Sequence, residues 1–134
     1  MGQQGKHLNS IKVSHEKHTA SCETEIMAVP ETVCISMSQH IGAPCQPLVK
    51  KGDYVKVGQK IGDTDAFVSA PIHSSVSGTV QQITTIRSVA GGTDQVVIIE
   101  ADGKQELSEE IKPPAVNDMK AFIAAVRELS LIHI

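Results

Sequence analysis

Aromatic side chains are nearly missing from this chain: its 134 residues include no tryptophan, one tyrosine (Tyr54) and two phenylalanines (Phe67 and Phe122). Any core must therefore be filled by Val, Ile, Leu, Met and Ala, and nucleic-acid bases would find almost nothing to stack on. Basic residues are scattered, with Lys50 and Lys51 the only adjacent pair, and the formal net charge is −3. No dense basic patch is encoded, so nucleic acid is not an expected partner. Long apolar runs are also missing. The longest, residues 121–126, falls far short of the roughly 20 residues that cross a bilayer, and the N-terminus has no apolar signal-peptide stretch. The sequence therefore reads as cytoplasmic. Cysteine is scarce: Cys22, Cys34 and Cys45 are odd in number and widely spaced, without a Cys-x-x-Cys pair. Reduced thiols fit that pattern better than a disulfide framework, and an iron–sulfur cluster needs four thiolates in most families.

What is present fits one soluble globular domain, with 40% hydrophobic residues. Residues 1–29 are polar and rich in Gly, Gln, His and Lys, and read as a poorly ordered leader or extended arm. Residues 30–112 form the body. The β-branched run Thr32-Val33-Cys34-Ile35-Ser36 reads as a strand, and Val49, Val55, Val57 and Ile61 lie among Gly52-Asp53 and Gly58-Gln59, the spacing of short strands broken by tight turns. Val76-Ser77-Gly78-Thr79-Val80 gives another strand, turn, strand signal, and residues 80–86 and 95–100 flank Ala90-Gly91-Gly92-Thr93 as a hairpin. There is a loose internal echo: Ala43-Pro44 precedes Gly52-Asp53-Tyr54-Val55, as Ala70-Pro71 precedes Gly78-Thr79-Val80. Pro113-Pro114 ends the β region, and residues 113–134 read as a proline linker and a helix. Asn117 is the expected N-cap. Met119, Phe122, Ile123, Val126 and Leu129 share one helical face, read either as a stripe packed on the body or as the start of a following domain.

Chemistry-bearing residues are few. His15, His18 and Cys22 offer nitrogen and sulfur ligands, but three ligands on one polar arm leave a metal shell open, and solvated side chains are expected. His40 and His73 are expected as hydrogen-bonded turn or core histidines, and Asp53, Asp63 and Asp65 as turn carboxylates that accept from nearby backbone N–H groups. No catalytic, cofactor-binding or metal-binding residue is assigned. Gly91-Gly92 lacks the pattern of a phosphate loop. A biotinyl or lipoyl carrier needs a lysine at an exposed hairpin tip. Here Asp63, Thr64 and Asp65 occupy that tip, and Lys60 is expected to be a solvated strand-end charge.

Two strings carry a family resemblance. The first is Ser38-Gln39-His40-Ile41-Gly42-Ala43-Pro44 with Pro47-Leu48-Val49-Lys50-Lys51-Gly52-Asp53-Tyr54-Val55-Lys56-Val57-Gly58-Gln59-Lys60-Ile61-Gly62. The second is Phe67-Val68-Ser69-Ala70-Pro71-Ile72-His73-Ser74-Ser75-Val76-Ser77-Gly78-Thr79-Val80. Together they resemble the C subunit family of Rnf-type electron transport complexes. That resemblance implies an all-β barrel-sandwich hybrid, similar to biotinyl and lipoyl domains, with one C-terminal helix. It also implies a peripheral subunit on the cytoplasmic side of a membrane complex that exchanges electrons between ferredoxin and NADH while moving an ion. FMN and two 4Fe–4S clusters would belong to parts of the family beyond this stretch, and the expectation is a fragment whose partners are the other Rnf subunits. A cobalamin-reductase-like protein is a second resemblance, and a small adaptor without redox function a third reading. For the stretch itself the expected role is a non-catalytic scaffold or docking module. Its expected contact surface is the loops holding Gln39, His40, Gly42, Pro44, Gln46 and Pro47, and Ala70, Pro71, His73 and Ser75, where prolines and small polar residues give rigid, exposed backbone.

Overall fold

Short β-branched runs separated by glycine, proline and small polar residues can pair only as short strands, and a computed structural model of the chain contains seven of them among the residues it describes, 16–88, 91–114 and 116–129. They are β1 (Thr32–Ser36), β2 (Gln46–Pro47), β3 (Tyr54–Val55), β4 (Lys60–Asp63), β5 (Ile72–His73), β6 (Gly78–Arg87) and β7 (Thr93–Ala101), followed by one helix, α1 (Met119–Glu128). A four-stranded sheet has the order β1-β7-β6-β3 and a three-stranded sheet the order β2-β4-β5. All strand pairs are antiparallel. The expected all-β barrel-sandwich with one helix is what is found.

The β6–β7 hairpin is longer than its sequence signal, running from Gly78↔Ala101 to Arg87↔Thr93, while Ala90 of its expected turn lies outside the described residues. A register shift between Val80 and Gln82 bulges β6 and changes the face its side chains present beyond that point. Before the bulge, Val80 faces inward with Val97 and Ile99; beyond it, Ile86 is exposed. The two echoing strings meet each other. Tyr54 pairs with Thr79 and Val55 with Gly78, and the Gly52 and Val80 N–H groups donate to Val80 and Asp53 carbonyls at 2.8 Å each.

The two sheets join at Met37. Its N–H donates to the Gln95 carbonyl and its own carbonyl accepts from Cys45 N–H, both at 2.8 Å. Ile35, Val55, Val80, Val97 and Ile99 from one sheet pack against Ile61 and Ile72 from the other, with Met37 and Cys45 at the seam. Each such side chain contributes about 1.5–3 kcal/mol by leaving water. The core is wholly aliphatic, and all three six-membered rings are exposed.

One expectation needs correction at the helix, and one of two readings of its apolar face is not met. Its N-cap is Asp118, whose Oδ1 accepts from Ala121 N–H at 2.8 Å, and not Asn117. Both residue types cap well, so composition could not separate neighbours. The stripe of Met119, Phe122, Ile123 and Leu129 is exposed, with only Val126 half-buried, so the helix does not seat its apolar face on the barrel. Helical spacing shows that one face is apolar, not that anything lies opposite it. Of the leader, residues 1–15 lie outside the described residues, and residues 16–29 are exposed, with turns closed by Ala20 N–H to Lys17 O and Cys22 N–H to Thr19 O.

Candidate docking surface

Where β1 ends, Ser36 turns the chain. Its hydroxyl accepts from Ser38 N–H, and its carbonyl accepts from the Gln39 amide, both at 3.0 Å. The turn delivers His40, whose Nδ1 lies 3.2 Å from the Ile41 carbonyl and whose Nε2 lies 3.5 Å from Cys45 Sγ. The Cys45 thiol donates in turn to the Ala70 carbonyl at 3.1 Å. These contacts stitch the first loop to the second. Gln39, His40, Ala70, Pro71, Ile72 and His73 then line one open cleft of about 350 Å³. Five of the ten residues expected to dock are thus brought together from strings some thirty positions apart.

The other five do not line it. Gln46 and Pro47 form β2 against Asp63 and Gly62 of β4, with Gln46 exposed and Pro47 half-buried. Pro44 and Ser75 are exposed. Gly42 lies so close to Val68 that a Cβ would overlap the Val68 carbonyl. The second loop departs from the expected exposed backbone: Ala70, Pro71, Ser74, Val76 and Ser77 are buried, leaving Ser75 exposed and His73 half-exposed. Small residues allow backbone to enter the interior when its polar groups are paired, as in the 2.7 Å bond from the Ser74 hydroxyl to the Val76 carbonyl.

Burial pushes the Cys45 thiol pKa up, the Asp63 charge raises it further, and Arg127 opposes both. Asp63 sits at the end of β4, where its Oδ1 accepts from Arg127 Nη2 at 2.6 Å and from Thr64 N–H at 2.8 Å. Burial works against the Asp63 carboxylate, but the Thr64 amide and the Arg127 guanidinium outweigh it and hold its pKa below the usual value. Glu128 is placed similarly, with Lys60 Nζ at 2.7 Å and His73 Nε2 at 3.4 Å. Burial again opposes its charge, and the bonds from Lys60 and His73 win, lowering its pKa. Lys60 is therefore not the solvated charge expected: it is ion-paired to Glu128 and lies 3.5 Å from Asp63. Arg127 Nη2 also donates to the Thr64 carbonyl at 2.8 Å, so polar contacts tie α1 to β4 and β5.

β4 and β5 are joined by residues 64–71, which contain no lysine. The Ser69 hydroxyl closes this turn on the Ala66 carbonyl at 2.7 Å and the Thr64 carbonyl at 3.3 Å, and Phe67 stands at its apex, 95% exposed. Asp53 behaves as expected and accepts from Lys50 N–H at 2.7 Å.

Sequence reading missed a second polar cluster. The Tyr54 hydroxyl donates to Asp102 at 2.7 Å and lies 3.2 Å from Glu106, and the Ser77 hydroxyl donates to the other Asp102 oxygen at 2.7 Å. Lys56 completes it, 2.7 Å from Glu106. The partners stand up to 52 positions apart, so spacing carried no signal. With Val57 N–H bonded to the Glu106 carbonyl, the cluster fastens residues 102–108 across the barrel.

His18 pairs with Glu16 at 3.0 Å and His15 lies outside the described residues. Among the described residues no three His, Cys, Asp or Glu side chains converge as metal ligands. Cys22 and Cys34 are exposed and Cys45 is buried, so the thiols do not fit a 4Fe–4S cluster in number or placement. No described helix is long and apolar enough to cross a membrane.

Residues 6–104 match the family described as the RnfC barrel sandwich hybrid domain. A Clostridium ljungdahlii protein, named as the C subunit of a proton-translocating ferredoxin:NAD(+) oxidoreductase complex, is 42% identical over 121 residues, covering 87% of this chain and 26% of the relative. The Acetobacterium woodii protein named as the Na(+)-translocating counterpart is 47% identical over 93 residues, 69% of this chain and 21% of the relative. A Rhodobacter capsulatus protein, named as the C subunit of an ion-translocating oxidoreductase complex, is 40% identical over 67 residues, 50% of this chain and 13% of the relative. The chain spans about a quarter or less of the length of these relatives.

Proposed function

This chain belongs to the RnfC barrel sandwich hybrid domain family, and from that premise we propose that residues 30–112 form a non-catalytic docking module of an Rnf-type electron transport complex. The observation that carries the reading is the meeting of the two loops at one cleft, fixed by the path from His40 through Cys45 to the Ala70 carbonyl. Backbone already held by its own bonds loses little freedom when a partner seats on it, which favours binding. A barrel-sandwich fold by itself places no active site, so the reading rests on this surface and not on the architecture.

In the proposal, residues 113–134 lead into a following domain, and the exposed stripe of Met119, Phe122 and Ile123 supports that assignment. The longer protein would carry FMN and two 4Fe–4S clusters in those further parts, exchange electrons between NADH and ferredoxin, and sit on the cytoplasmic side of a membrane against other Rnf subunits. Two exposed positions, one on each loop, provide the test. Gln46→Lys and Ser75→Lys, made in the full-length protein, are expected to weaken its co-purification with the remaining subunits while leaving thermal unfolding unchanged. Unaltered assembly in the double variant refutes the docking role.

A further inference from the structure

We infer that the tip of the β4–β5 hairpin is the anchor of this docking surface, and that Phe67 with Ile41 enters an apolar socket on a neighbouring subunit. The inference rests on the docking role above and names its partner's chemistry. Phe67 is 95% exposed and Ile41 84%, in a domain whose core takes no aromatic ring. Their segments meet where Gly42 abuts Val68, itself part-exposed, so the three apolar side chains stand on adjoining backbone. Phe67 is also pre-organised. The Ser69 hydroxyl, buried beneath the turn, ties it to Ala66 and Thr64, and the ring is presented without a long flexible arm. Exposed aromatics on ordered turns are the residue type that dominates interfaces, because burying one releases much apolar area at small entropic cost.

Charge selects protein over lipid as the occupant. Residues 38–45 and 62–71 contain Asp63 and Asp65 and no lysine or arginine. Arg127 and Lys60 approach Asp63, Glu128 takes up the Lys60 ammonium, and Asp65 remains exposed beside Phe67. A tip of net negative charge is repelled by anionic headgroups, whereas a protein socket with a cationic rim can meet Asp65.

The test uses the tagged full-length protein and the detergent-solubilised complex prepared from a strain lacking its gene. Binding measured by titration is expected to weaken at least about tenfold for Phe67→Ser, and further with Ile41→Ser added, while Phe67→Leu stays near the starting affinity. Thermal unfolding should be the same for all, since neither side chain is in the core. If the unaltered protein binds and Phe67→Ser binds equally well, the anchor is elsewhere and the docking role survives. If the unaltered protein does not bind, the docking role itself fails, and this inference with it. Phe67-dependent sedimentation with phosphatidylglycerol vesicles, or a Phe67-dependent dimer in ultracentrifugation, would overturn the choice of a protein socket on another subunit.

Discussion

Replacing Gly42 with alanine separates two costs that glycine hides, one of backbone conformation and one of space. Gly42 has φ of 121° and Gly52 has φ of 93°, a region where an L side chain costs about 1–2 kcal/mol. Alanine also restricts the unfolded chain, which returns about 0.4–1 kcal/mol. At Gly52 an added Cβ has no atom within 4 Å, so Gly52→Ala should destabilise by only about 0.5–1 kcal/mol. At Gly42 the same Cβ falls on the Val68 carbonyl, a backbone group that cannot swing aside. Overpacking of that kind adds about 1–3 kcal/mol, for a total of about 2–4 kcal/mol. Urea unfolding measures both variants, and a lower midpoint at unchanged slope reads directly as lost stability. Equal midpoints for Gly42→Ala and Gly52→Ala would refute the claim that the first loop is pressed against Val68, and with it the contiguity of the surface.

Three further outcomes follow from the polar clusters. The Ser77 hydroxyl, the Lys104 amide and the Tyr54 hydroxyl hold Asp102 at about 2, below the usual carboxylate value, so its contribution is complete above about pH 4 and fades as pH falls through about 2. Tyr54 is pushed up to about 12, chiefly by its bond to Asp102, so that stabilisation persists below about pH 10 and is lost as pH rises through about 12. Asp102→Asn should flatten the acid limb and bring Tyr54 back toward its ordinary range, read by ultraviolet titration of the single tyrosine; an unmoved tyrosine titration contradicts the cluster. Arg127→Ala should speed amide exchange over residues 119–128 while leaving β6 and β7 protected, at a global cost under about 1 kcal/mol because the ion pairs are partly exposed. Salt near 1 M should imitate it; slow exchange throughout would mean that something other than Arg127 holds the helix. A thiol reagent should label exposed Cys22 and Cys34 in the folded protein and spare Cys45, whose pKa is raised by burial; early labelling of Cys45 argues for an open cleft floor.

Strand positions were legible because the valine and isoleucine runs alternate with turn residues whose backbone preferences are strong. Thr32–Ser36 and the hairpin of residues 80–86 and 95–100 emerged directly, and the two longest strands extend only a residue or two beyond their signals. The loops at 39–47 and 70–77 were visible as strings, but their burial was not. Proline and small polar residues mark a turn without saying whether it faces water, and Ala70 to Ser77 folds largely inward. Tertiary pairs left no local trace. Arg127 reaches Asp63 and Glu128 reaches Lys60 across more than sixty positions, so nothing local marks Lys60 as ion-paired or α1 as tied to the barrel by polar contacts. Phe67 was conspicuous only as one of two phenylalanines until the Ser69 turn put it at an apex.

The pairing of β1 with β7 sets a schedule for synthesis. Thr32 to Ser36 must find Glu100 to Val96, so about sixty residues have to be made after Ser36 before the first strand has an edge to join. At about 5–20 residues per second that delay lasts about 3–12 s, during which Val33 and Ile35 stay unpaired while β6 and β7 can zip as soon as both emerge. A ribosome-bound chain halted before Val96 should therefore present β1 to chaperones, and one halted well beyond Ala101 should not.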